Sequence, residues 1–255
     1  MTAEIVERLR AAGCVFAEDE ARLLLDEAES PDDLESMVVR RVDGEPLEHI
    51  LGWVEFCGLR IIVTPGVFVP RRRTQVLVTE AGRLARPGAI VVDLCSGAGA
   101  IGAALLDTCE GVELHAADID PAAVACALLN LESEGGHVHE GDLFAALPDE
   151  LRGRVDIVVV NAPYVPTDAI AGMPPEARLH EATIALDGGA DGVDIHRRIA
   201  AEAGQWLMPD GYALIETSQQ QAPLTIGALE AAGFSAWMER DEAVDGTAVI
   251  ATRPA

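Results

Sequence analysis

The chain has 255 residues, nearly half of them hydrophobic, enough for one large domain with a small appendage. Its 18 basic residues are all arginine, and against 43 acidic residues they leave a formal net charge of −25. So acidic a surface repels phosphate backbones and anionic headgroups; it excludes a stand-alone nucleic-acid binder and a membrane-surface protein as expectations, and tolerates a basic protein partner or a cationic cofactor.

The five cysteines, at 14, 57, 95, 109 and 126, are odd in number and lack zinc or redox spacing, so neither a disulfide framework nor a metal site is expected. The first residues carry no apolar signal core, and no apolar run approaches the roughly 20 residues of a membrane helix. A cytoplasmic protein is the expectation.

Residues 2 to about 42 read as helices. Ile5, Val6 and Leu9 form one stripe; Leu23, Leu24, Leu25 and Ala28 form another. Ser30-Pro31-Asp32-Asp33 predicts the start of a third helix, with Ser30 as N-cap and Pro31 in the first turn. Next, Phe56–Val63 and Val67–Val69 predict a hairpin turning at Pro65-Gly66. The cluster Arg71, Arg72, Arg73 reads as a solvated loop, with contact to a cofactor or partner as the alternative. Beyond residue 75, strands at 89–94, 112–117, 137–140, 155–160, 211–216 and 247–251 alternate with helices at 98–108, 121–133, 191–207 and 219–232. That alternation predicts an α/β domain with a mostly parallel sheet. The Pro- and Gly-rich stretch 161–190 reads as a long functional loop.

Chemistry concentrates where predicted strands end. The strand to Leu94 carries Asp93 and runs into Cys95-Ser96-Gly97-Ala98-Gly99, after which a helix begins. Gly97, Gly99 and Gly102 fit G-x-G-x-x-G, a nucleotide-type loop in the right context. Asp118 ends the next strand, where a carboxylate accepts ribose hydroxyls; Asp120-Pro121 reads as a helix cap. Gly141-Asp142-Leu143 ends a third strand, with Asp142 an acceptor for an adenine amino group and Leu143 flanking the ring. Several carboxylates around one pocket suit a ligand with a cationic centre better than a pyrophosphate. S-adenosylmethionine, with a sulfonium and an ammonium, fits; a nicotinamide-dependent oxidoreductase is the alternative from the glycines. Finally Asn161-Ala162-Pro163-Tyr164 follows the run Val155–Val160 and joins an amide acceptor, a rigid turn and an aromatic face.

On these segments the chain resembles the HemK/PrmC-type protein-(glutamine-N5) methyltransferases. The likeness takes in Gly44–Gly52, Val69-Pro70-Arg71, Asp93 to Gly99, Asp118, Asn161 to Tyr164, Ala185–Gly192 and Arg197-Arg198-Ile199. It implies a Rossmann-like class I S-adenosylmethionine-dependent methyltransferase sheet (75–255), a small N-terminal helical domain (1–45) and a β-hairpin linker (46–74). It implies methyl transfer to the side-chain amide nitrogen of a glutamine in a protein, a peptide chain release factor being one candidate. The implied catalytic segment is Asn161, Ala162, Pro163 and Tyr164. The implied cofactor residues are Asp93, Cys95, Ser96, Gly97, Ala98, Gly99, Asp118, Ile119, Asp142, Leu143 and Asn161. The family usually has Asn-Pro-Pro-Tyr, a glycine where Cys95 stands, and an acidic run where Arg72-Arg73-Thr74-Gln75 stand. Methylation of a nucleobase amine, and a scaffold inactivated by Ala162 and Cys95, are the other readings.

Overall fold

The computed structural model describes residues 2–254. Its first part is helical: α1 (Thr2–Ala11), α2 (Ala17–Glu27), α3 (Pro31–Val42) and the short α4 (Leu47–Leu51). The α3 start follows the sequence signal. Ser30 is extended, and its Oγ accepts from the Asp33 amide at 3.1 Å. Leu9, Leu24, Leu34, Val38 and Ile50 close a small core of their own. Beside it Arg41 Nε lies 2.6 Å from Glu20 Oε2, and the same guanidinium reaches Glu176, more than a hundred residues on.

The hairpin forms one turn earlier than the apolar runs suggest. β1 (Trp53–Phe56) and β2 (Leu59–Ile62) pair antiparallel around Cys57-Gly58, not around Pro65-Gly66. Cys57 and Gly58 both take positive φ, 52° and 81°, the two-residue turn whose twist matches the strands it joins. Arg60 lies over the Trp53 ring, 4.1 Å from its centroid. Gly66 instead bridges to Glu181, and Val67 and Val69 are buried against the main domain.

That domain is a seven-stranded sheet. Its strands are β3 (Ile90–Leu94), β4 (Glu113–Asp118), β5 (His137–Glu140), β6 (Val155–Val160), β7 (Leu207–Glu216), β8 (Ser235–Asp241) and β9 (Gly246–Thr252). The order is β5-β4-β3-β6-β7-β9-β8; the first five are mutually parallel and β9 is antiparallel to both neighbours. Side chains alternate across the sheet. Val91, Ile157 and Val159 face a core shared with α5 (Gln75–Leu84), α6 (Ala100–Thr108) and α7 (Pro121–Leu131). Ile90, Val92, Val158 and Val160 face the other core, shared with α9 (Asp194–Trp206) and α10 (Ala222–Ala231). In that second core Trp206 stacks on Phe144 with ring centroids 5.7 Å apart. Between α7 and α10 the segment 161–190, expected as open loop, carries α8 (Pro175–His180) and short 3-10 turns at 167–172 and 183–185.

Strand order reverses at β3: the chain moves outward through β4 and β5, then crosses back to β6 on the other side. A crevice opens beyond the strand ends at such a switch point, and it is where open α/β sheets receive ligands. Among the described residues no helix is long and apolar enough to cross a membrane.

Candidate active site

β3 delivers Asp93 and then turns. Asp93 is fully buried; its Oδ2 accepts from the Gly102 amide at 3.1 Å, while Oδ1 has no partner among the described residues. Burial pushes its carboxyl up to about 7, against that hydrogen bond and with help from the nearby Asp118 charge. The loop after β3 is left-handed at Cys95 (φ 56°), Gly97 (54°) and Gly99 (76°). A side-chain-bearing residue held there costs about 1–2 kcal/mol, so Cys95 stands at a position shaped for glycine. Burial, then the Asp118 and Asp93 carboxylates, push its thiol up.

Asp118 closes the loop from β4. Its Oδ2 accepts from the Gly97 amide at 2.8 Å and its Oδ1 from the Asp120 amide at 3.0 Å. Burial raises its carboxyl, opposed by these backbone donors. Asp120 caps α7 as expected, accepting from the Ala122 amide at 2.9 Å. Past β5, Leu143 is, like Cys95, a non-glycine residue at positive φ, 50°. Asp142 beside it pairs with Arg198 of α9 at 2.7 Å, a partner the sequence reading did not supply.

β6 delivers Asn161. Its Nδ2 donates to Thr74 Oγ1 at 3.3 Å. Ala162 is buried. The Tyr164 hydroxyl donates to Glu216 Oε1 at 3.2 Å, and Arg73 Nε donates to the same oxygen at 3.2 Å. Glu216 ends β7 and is 1% exposed. Burial pushes its carboxyl up, while Thr74, Arg73 and Tyr164 hold it down. The backbone of the motif is clamped from outside. Gln221 Nε2 donates to the Tyr164 carbonyl at 2.7 Å, the Val165 amide to the Leu186 carbonyl at 3.1 Å, and the Gly188 amide to the Val165 carbonyl at 2.9 Å.

One cleft is lined by Asn161 to Tyr164, Cys95 to Ala98, Asp118, Ile119, Asp142 and Leu143. Asp93 and Gly99 stand behind the loop and shape it without lining the cleft. The arginine cluster is not merely a solvated loop: Arg71 pairs with the buried Glu181 and Arg73, itself partly exposed, with Glu216, and both line the cleft, while Arg72 is turned to solvent. Thr74, Glu216 and Gln221 went unread in the sequence. Glu216 had a signal, since it ends the apolar run Ala213-Leu214-Ile215 much as Asp118 ends its own.

The family model described as "Methyltransferase small domain" matches residues 58–191. A release factor glutamine methyltransferase of Geobacter sulfurreducens is 40% identical over 200 residues, 78% of this chain and 69% of that protein. One from Cereibacter sphaeroides is 36% identical over 252 residues, covering 90% and 88%. Among solved structures, a methyltransferase from Pyrococcus furiosus superposes with a TM-score of 0.59 at 14% identity over 87% of this chain and all of that one, which speaks to the fold alone.

Proposed function

The chain belongs to the release factor glutamine methyltransferases, S-adenosylmethionine-dependent enzymes on a Rossmann-like α/β sheet, and from that premise we propose that its cleft methylates the side-chain amide of a glutamine in a peptide chain release factor. The residues around the loop suit that cofactor. Ser96 Oγ, on the loop that lines the cleft, is a buried polar atom with no partner among the described residues, and the Asp118 and Asp142 carboxylates line the same cleft. Asp118 would hold the ribose hydroxyls, Asp142 and Leu143 the adenine, and the 95–99 turn with Ile119 the remainder. When bound, S-adenosylmethionine supplies an electrophilic methyl group.

The chain's own task is to orient a poor nucleophile. An amide nitrogen has a delocalised lone pair, and no free strong base stands at the motif among the described residues. The Tyr164 phenol is pushed up, first by burial and then by Glu216, and Glu216 is already paired. Asn161 Oδ1 and the Ala162 carbonyl would instead accept the two N–H bonds of the substrate amide, fixing the nitrogen and favouring its rehybridisation. Ala162 supplies the same carbonyl as a proline would. Tyr164 would pack beside the amide, and Pro163 hold the turn. The acidic surface suits a basic protein substrate better than a nucleic acid.

The observation that supports this reading is the Asn161–Thr74 hydrogen bond, which engages the amide nitrogen and leaves Oδ1 without a hydrogen-bond partner among the described residues. Asn161→Ala should slow methyl transfer to a release factor by about 10²–10³, the range for a lost preorganised contact, while calorimetric affinity for S-adenosylmethionine changes little. Transfer at the parent rate would refute it.

A further inference from the structure

The hairpin sheet has two strands, so the outward N–H and C=O groups of β2 meet no further strand. At Ile62 a side chain takes that strand's place. Asn130, half-buried near the end of α7, accepts from the Ile62 amide with Oδ1 at 2.8 Å and donates from Nδ2 to the Ile62 carbonyl at 2.9 Å. The second proton of Nδ2 has its own acceptor, the Ala98 carbonyl at 2.8 Å. A longer contact, 3.4 Å, runs to the Cys126 carbonyl of the same helix. Ala98 belongs to the 95–99 turn and lines the cleft. All these partners are backbone groups, so the amide cannot be turned end for end: a carbonyl only accepts and a backbone N–H only donates. Beside Asn130, helix and turn pack without clearance, since a Cβ on Gly99 would meet the Leu131 side chain at 2.8 Å.

We infer that Asn130 is a positioning residue for the cofactor turn, and that through it the docked hairpin helps to hold the turn in its binding shape. The turn is left-handed at 95, 97 and 99. Such a backbone persists only where its surroundings fix it. Asp118 fixes it at the Gly97 amide, 2.8 Å away, and Asn130 at the Ala98 carbonyl. The side chain that grips Ala98 is the one that grips Ile62, so turn and hairpin are tied by one carboxamide. Arg60, on the same strand, pairs with Glu27 of α2 at 2.7 Å and ties the hairpin to the helical unit as well. Coupling of this kind is reciprocal. If the docked hairpin favours the turn that receives S-adenosylmethionine, the cofactor favours the docked hairpin to the same degree. The inference rests on the seat given above to the cofactor at the 95–99 turn.

The test compares the whole parent protein with Asn130→Ala and Asn130→Asp. It measures S-adenosylmethionine affinity by calorimetry, amide hydrogen exchange with and without the cofactor, and kcat on a release factor at saturating cofactor. Asn130→Asp keeps the shape and the acceptor for the Ile62 amide, but turns a carboxylate oxygen toward two carbonyls. Both variants should bind S-adenosylmethionine about 2–30-fold more weakly, the scale for residues that couple sites without touching the ligand. Their kcat at saturation should change little, because the Asn161 motif stands on β6. In the parent the cofactor should slow exchange at the Ile62 amide as well as in the 95–99 turn. In Asn130→Ala the hairpin's share of that protection should vanish while the turn keeps its own. A merely loosened α7 would speed exchange with and without cofactor alike and leave the difference standing. Parent affinity in both variants, or cofactor-induced protection of Ile62 that survives in Asn130→Ala, would overturn the inference. If Asn130→Ala does not fold, as melting would reveal, Asn130→Asp and the parent decide: a loaded parent whose Ile62 amide gains no protection is itself a refutation. Protection in the parent's turn with none in its hairpin sinks the coupling alone; no protection in the turn sinks the cofactor seat, and the inference with it.

Discussion

Asp93 carries a pH dependence with a definite sign. In the unfolded chain it loses its proton near 3.8; in the fold it keeps it to about 7. Between those values the folded state holds the extra proton, so this group's contribution to stability falls as pH rises, and the loss is complete above about pH 7. Asp93→Asn removes the effect and can still accept from the Gly102 amide. In melts of the ligand-free protein its gain over the parent should be greater at pH 8 than at pH 5, by on the order of a few kcal/mol. An equal shift at both values would contradict the assignment. At this scale the sequence was informative where an acid or a glycine breaks an apolar run: Asp118, Asp142 and the 95–99 turn all converge on the cleft. It was silent where a residue acts through a partner far away in the chain. Nothing local marks Thr74 as the mate of Asn161, 87 residues later, or Glu216 as the mate of Tyr164.

Between elements, the motif after β6 is seated by the segment that leads into α9. Gly188 is pressed against it: a Cβ there would come within 2.7 Å of the Pro163 carbonyl oxygen, the Tyr164 Cα and the Gly192 carbonyl oxygen. These are backbone atoms, so the strand end itself would have to shift. Gly188→Ala should cost about 1–3 kcal/mol, as overpacking does, and should reduce kcat more than it weakens S-adenosylmethionine binding, since the 95–99 loop lies on other elements. Urea unfolding with calorimetry and a rate assay would check it, and full activity at parent stability would refute it. β3, β4, β6 and β7 were legible because a strand with parallel neighbours is buried on both faces and reads as a nearly continuous apolar run, and β9, antiparallel but flanked on both sides, is buried likewise. The same logic explains the omissions. β8 is an edge strand with Trp237 and Met238 exposed, so it lacks such a run. α5 begins Gln75-Val76-Leu77-Val78, whose β-branched start hides a helical stripe. The hairpin was misplaced because Pro65-Gly66 is the louder turn signal, while Cys57-Gly58 makes the turn.

Across the whole molecule, Arg41 ties parts that share no core. It is buried on α3, pairs with Glu20 on α2 and reaches Glu176 on α8, within the segment that also carries Glu181 and Gly188. Arg41→Ala would leave Glu20 buried with no counter-charge, a loss of about 3–5 kcal/mol where one member of such a pair is removed. Denaturant melts should show it, and the Glu20→Gln/Arg41→Met double variant should regain a large part. A loss under about 1 kcal/mol would place the pair with ordinary surface bridges.

The three tryptophans are spread so that each stands in a different region. Trp206 is sealed in the second core against Phe144, Trp53 lies half-buried in the hairpin under Arg60, and Trp237 sits on the outermost strand with its face partly in water. With two of the three replaced by phenylalanine, intrinsic emission becomes a local gauge. Trp206 should emit furthest to the blue and Trp237 furthest to the red. A Trp53 signal that changes at lower denaturant than the Trp206 signal would mean that the helical unit and its hairpin let go while the sheet still stands.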